Sequence, residues 1–264
     1  MQGLGPIAAG ASRIIVGSLF LLVVLGLAGG GLPKTFTQWR SVSIYGLVFL
    51  APPFLVMPWL LQYLSSATAA IYYAAIPLFV LFISRLFLNI SISVRKWVGF
   101  AIGAVGLVIL ASVGGDAAPT GYTRAAEIPI MPHIICLLSA LCLAAGGVYV
   151  QAMPPIRPLT MTASAFLAAN ICAIPAFLID MPSSIPPLMG VVGILGAECI
   201  ATGLGTLIRG ILIRREGAIF TSINGYIVPI NASILGVIFL NEVIIMRNIL
   251  AYLLVVTGLV IARK

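Results

Sequence analysis

The chain has 264 residues, of which 61% are hydrophobic and 8% charged, with a formal net charge of +8. A soluble domain carries about a quarter charged residues, so this composition excludes one that covers its own surface in water. The positive charge does not indicate a nucleic-acid partner, because the basic residues are scattered through short gaps and form no stripe.

In chain order, apolar stretches fall at 12–29, 41–62, 67–88, 96–113, 132–151, 160–179, 188–211, 218–240 and 248–263. Each approaches the roughly 20 residues that cross a bilayer core as a helix. The gaps hold most of the charges and many of the glycines and prolines. Stretches this uniformly apolar must satisfy their backbone groups internally, which in lipid leaves the helix; a barrel strand would alternate. The predicted fold class is therefore all-α integral membrane, with nine transmembrane helices.

Counting alternate gaps, one side holds Lys34, Arg40, Arg85, Arg95, Lys96, Arg157, Arg209, Arg214, Arg215, Arg263 and Lys264. The other holds Arg13, Arg124 and Arg247 with Asp116, Glu127, Asp180 and Glu242. Basic residues near helix ends stay in the cytoplasm, so the C-terminus is expected inside and, with nine spans, the N-terminus outside. The first apolar run is too long for the apolar core of a cleaved signal, and no small-residue cleavage pattern follows it, so no separate signal peptide is expected. Cys136, Cys142, Cys172 and Cys199 lie inside apolar stretches without metal-ligand spacing and read as small apolar fillers.

The chain also repeats itself. One ungapped shift lays Pro77 on Pro229, Phe87-Leu88-Asn89 on Phe239-Leu240-Asn241, Ile92 on Ile244 and Arg95 on Arg247. The same shift lays Gly106-Leu107-Val108-Ile109 on Gly258-Leu259-Val260-Ile261. Apolar matches are cheap in a membrane protein; coincident Pro, Asn, Arg and Gly at one offset are not. The matched helices are the third and the eighth of the predicted spans, so the two copies point opposite ways. Inverted repeats belong to alternating access, with a site near the midplane. Residues 114–131 form the longest polar gap and divide the chain into a first repeat, 1–113, of four helices and a second, 132–264, of five. A fifth helix is expected to precede residue 12 in a complete first repeat.

The second half resembles an EamA-type repeat of the drug/metabolite transporter superfamily through Glu216-Gly217-Ala218, Ser222, Tyr226, Val228-Pro229, Phe239-Leu240-Asn241-Glu242 and Gly258-Leu259-Val260-Ile261. The first half carries a weaker copy in Ser66-Ala67, Pro77, Leu88-Asn89 and Gly106-Leu107. The resemblance implies ten helices in two inverted bundles of five, both termini cytoplasmic, and a central cavity for a small metabolite, often an amino acid or related compound for export. Two departures stand out: the family's first helix is absent, and Ile90 occupies the place of an acid that the second copy keeps as Glu242.

Few polar residues lie inside the spans. Glu198 is the acid placed deepest, and Thr202, Thr206 and Arg209 follow on one stripe of a helix. A charge at that depth is expensive, which makes the carboxylate either a cavity-lining group that titrates or meets a cationic substrate, or a buried structural group. Asn224 and Asn231 share a face around Pro229, whose ring frees the carbonyl of Gly225; they read as substrate contacts or as interhelical glue. Tyr72, the repeat counterpart of Asn224, and Tyr73 precede Pro77, and one of them is expected at the cavity. Pro77 and Pro229 read as hinges or fixed kinks. The candidate substrate-binding set is thus Glu198, Thr202, Asn224, Asn231, Tyr72 and Tyr73. Asn170 reads as an interhelical bond, His133 as a helix start near the outer face, and Gly99-x-x-x-Gly103 as a close helix contact.

No phosphate loop, paired-histidine zinc motif or nucleophile with a base at family spacing occurs, so no cofactor and no enzyme activity are expected. The function expected is secondary transport, with export of a small metabolite by alternating access. Proton coupling through Glu198 and self-association as a homo-oligomer are compatible with it. The rivals are a passive channel, a membrane-embedded enzyme and a non-transporting remnant of the family.

Overall fold

The computed structural model describes residues 5–64, 69, 72–73, 75–111, 130–181, 195–196, 198–227 and 246–263. Every regular element among them is helical. In chain order these are α1 (Pro6–Leu27), α2 (Phe36–Leu60), α3 (Ile76–Phe87), α4 (Val94–Ala111), α5 (Ile130–Ala152), α6 (Pro158–Ile179), α7 (Gly205–Ser222, entered through a π-helical turn at Glu198–Leu204) and α8 (Met246–Arg263). Among them α1, α2, α5 and α6 are long and apolar enough to cross a membrane, and α3 is a shorter apolar helix. By length and composition the described helices are those of a helical membrane protein. Asn231, Pro229 and the second copy of the Phe-Leu-Asn motif lie outside the described residues.

The helix ends show why the elements start and stop where they do. α1 begins at Pro6, earlier than the apolar run, because a proline in the first turn gives up no intrahelical bond. The Asp180 carboxylate, at the end of α6, accepts the free amides of Ile7 and Ala8 at 2.8 and 3.0 Å. Arg13 therefore lies inside α1 and does not mark its mouth. α2 is capped by Thr35, whose hydroxyl accepts the amide of Gln38, and it contains a π-helical stretch at Tyr45–Leu50. Pro77 occupies the first turn of α3. That helix ends at Asn89, with φ 51°, in the left-handed conformation that follows many helices and that asparagine adopts with little strain. Asn89, in the first copy of the Phe-Leu-Asn motif, is a helix stop. At the end of α5 the Arg214 guanidinium donates to the carbonyls of Val150 (3.3 Å), Met153 (2.9 Å) and Pro154 (2.6 Å). A cation there satisfies acceptors that a helix C-terminus leaves open.

The chain forms two compact units, each drawn from two stretches: residues 1–59 with 149–217, and 60–148 with 218–264. The units cut across the boundary between the repeats read from the sequence. In the first unit α1 packs along α6 and against the π-helical turn before α7, while α2 packs on α6. Three polar contacts fix α1 on α6: Asp180 at one end, Asn170 Nδ2 donating to Ser18 Oγ at 2.9 Å in the middle, and Thr160 donating to the Gly31 carbonyl at 3.0 Å at the other end. Asn170 thus makes the interhelical bond expected of it.

In the second unit α4 lies along α8. Gly99 and Gly103 meet Gly258 so closely that a Cβ on Gly99 would sit 2.5 Å from the Gly258 carbonyl oxygen. Only small residues permit that approach, which is the contact the Gly-x-x-x-Gly spacing predicts. Around it cluster Leu81, Phe100, Tyr226 and Val255, with Tyr226 fully buried and its hydroxyl donating to the Phe100 carbonyl at 2.7 Å. A buried phenol needs such an acceptor.

Candidate functional site

The first unit holds a charged cluster inside its helices. Glu198 opens the π-helical turn, and Thr202 follows on the same face. The Thr202 hydroxyl donates to Glu198 Oε2 at 2.5 Å, and Arg13 Nε of α1 donates to the same oxygen at 3.2 Å and approaches Thr202 Oγ1 at 3.4 Å. This is the one ion pair found among the described residues. The Glu198 side chain is 10% exposed and that of Arg13 30%, so the carboxylate is enclosed while the guanidinium reaches outward. Phe54 of α2 lies under the guanidinium, its ring centroid 5.3 Å from Arg13 Cζ, and packs edge-on against Phe166 of α6 at 6.2 Å. The aromatic face and the carboxylate both attract the guanidinium, which offsets part of the cost of taking it out of water.

Both partners have spare capacity. Glu198 Oε1 and the two terminal nitrogens of Arg13 have no hydrogen-bond partner among the described residues. The pair therefore offers an open acceptor next to open, forked donors, which is complementary to a small group bearing both an ammonium and a carboxylate. A π-helical turn inserts an extra residue into the helix and is frequent at functional sites.

The other expected site residues are placed elsewhere. Tyr72 belongs to the second unit, where its hydroxyl lies 2.8 Å from Nδ1 of His133 and the two rings are tilted at 5.9 Å. His133, read as a surface residue, is half-buried by that contact. Tyr73 is half-buried in the same unit and Asn224 is exposed there, next to the buried Tyr226. Of the expected set, the described residues bring together Glu198 and Thr202. The residue that sequence reasoning missed is Arg13, 185 positions from its partner. Its one signal was a lone arginine beside the first apolar run, which was read as flanking charge.

Comparison with known proteins decides the family. The model of the EamA-like transporter family matches residues 1–112 and 130–263. The chain belongs to the EamA-like transporter family. Among EamA-like relatives, the "Uncharacterized inner membrane transporter YedA" of Escherichia coli (strain K12) is 28% identical over 238 residues, covering 88% of this chain and 72% of the relative. An "Uncharacterized transporter" of Archaeoglobus fulgidus is 26% identical over 270 residues, covering 99% and 90%. A solved crystal structure superposes with a TM-score of 0.82 at 16% identity, covering 99% of this chain and 90% of that one, which shows a shared fold. As an EamA-like protein the chain is a membrane-embedded transporter, acting on a small molecule in a lipid bilayer.

Proposed function

We propose that the chain is a secondary transporter of the inner membrane. It exports a zwitterionic metabolite, an amino acid or a related compound, by alternating access. The observation that carries this reading is the Arg13–Glu198 pair, its carboxylate buried, with donors and an acceptor that no described residue uses. The open ends of Arg13 receive the substrate carboxylate and Glu198 Oε1 its ammonium, in a site dry enough for both contacts to count. Exchange of the ammonium for a proton on Glu198 supplies the coupling. The inverted repeat read from the sequence supports two alternating states, and the names of the bacterial relatives support the inner membrane.

The test is uptake into everted membrane vesicles of a panel of labelled amino acids, each beside its decarboxylated amine and its deaminated acid. Zwitterions should be carried and both singly charged analogues should fail. Glu198→Gln keeps size and most hydrogen bonding while removing the charge. It should fold, yet lose transport or its pH dependence. Wild-type transport with an unaltered pH profile in Glu198→Gln overturns the proposal.

A further inference from the structure

A second feature of the first unit takes no part in that reading. At the opposite end of α1 from Arg13 lies a cavity of about 460 Å³, lined by Leu25, Arg157, Leu159, Leu207, Ile211 and Arg215 among others. From Arg13 to Leu25 along α1 is roughly 18 Å, at about 1.5 Å per residue, so the cavity is separate from the ion pair. Its volume falls within the roughly 300–1,000 Å³ of small-molecule sites.

The lining divides into two kinds. Leu25, Leu159, Leu207 and Ile211 make an apolar wall, while Arg157 and Arg215 bring two guanidinium groups and no lining residue is acidic. Neither arginine has a hydrogen-bond or ion-pair partner among the described residues. The contrast with the neighbouring Arg214, engaged on three carbonyls, is sharp: one arginine holds the fold together and the next meets no partner among the described residues. Arg157 also precedes the first turn of α6, whose amides add positive potential at the same mouth. Free guanidinium forks match phosphate oxygens, and an apolar wall beside them matches an acyl or other hydrocarbon part. Basic pockets between membrane helices are where anionic headgroups settle.

We propose that this cavity binds an amphipathic phosphate ester, its phosphate on Arg157 and Arg215 and its apolar part against Leu25, Leu159, Leu207 and Ile211. The same chemistry is offered by an anionic phospholipid and by a soluble phosphate ester.

The experiment is thermal melting of the delipidated protein in a neutral detergent. Dimyristoylphosphatidylglycerol, dimyristoylphosphatidylcholine and glycerol 3-phosphate are added separately. Phosphatidylglycerol should raise the melting temperature by about 3 °C or more, and the zwitterionic lipid should not. Arg157→Gln/Arg215→Gln should lose most of that rise; if the double variant does not fold, each single variant should lose part of it. A rise with glycerol 3-phosphate that the variants also lose assigns the site to a soluble ester. Equal rises with both lipids and none with glycerol 3-phosphate overturn the proposal, as does a phosphatidylglycerol rise that the arginine variants retain in full.

Discussion

Arg13→Met tests the energetics of the central pair. At 3.2 Å and an effective dielectric of about 20, the gross attraction between Arg13 and Glu198 is about 5 kcal/mol. Desolvation offsets much of it, so the pair's net worth is smaller than the damage done by orphaning one member. Removing one partner from a buried pair costs about 3–5 kcal/mol. The 30% exposure of Arg13 puts this site at the lower end, about 3 kcal/mol. For a chain of this size that lowers the melting temperature by roughly 6–12 °C. Glu198→Gln alone should cost about 1 kcal/mol, because Thr202 keeps a partner and Arg13 still reaches outward. Arg13→Met/Glu198→Gln removes the orphaned carboxylate and should cost about 2 kcal/mol, less than Arg13→Met by itself, a coupling of about 2 kcal/mol. Detergent melts of the four proteins followed by intrinsic fluorescence measure the cycle. A double variant as unstable as the two single effects added together would refute the pairing.

Arg214→Gln should destabilise by about 2 kcal/mol, since three charge-assisted bonds at the end of α5 are lost, and Arg214→Lys should recover only part because an ammonium cannot fork; the same melts check both. For topology, Phe36→Cys and Ser93→Cys in a background without the four native cysteines should resist an impermeant thiol reagent in intact cells, as cytoplasmic placement of those segments requires. Both positions are exposed, whereas Ile92 is buried and would resist for the wrong reason; ready labelling at either site reverses the orientation.

What could be read from the residues follows from the range of the forces involved. Hydropathy is local, so α4, α5, α6 and the described part of α8 lie where the apolar runs put them, within a few residues. The Gly99-x-x-x-Gly103 contact face was legible because it is set by helical spacing within one segment, and the same spacing put Glu198 and Thr202 on one stripe without showing that they bond. The partners were not. Arg13 meets Glu198, and Asp180 caps α1, through contacts between residues far apart in the chain, and no spacing rule encodes which charge finds which. Treating Arg13 as a boundary marker also shortened α1, because a charge that is paired in the fold looks, in a single sequence, like one that must stay outside. The π-helical turn at Glu198–Leu204 leaves no compositional trace, although it sets the face on which Glu198 and Thr202 meet. The two units could not be seen for a similar reason: matching residues along the chain says nothing of which helices touch, and compactness depends on that.

The long separation of Arg13 from its partner has a consequence for how the protein is made. A ribosome delivering about 5–20 residues per second emits Glu198 some 10–40 s after Arg13. During that interval α1 enters the bilayer with an uncompensated guanidinium, for which insertion scales charge about 2.5–3.5 kcal/mol at the helix centre. The apolar remainder of α1 must carry it, and Arg13, only two turns from the helix start, can reach back to the interface while it waits. Its counter-ion, its aromatic neighbour Phe54 and the Asp180 cap are all synthesised later, so α1, although made early, is among the last helices to be finished.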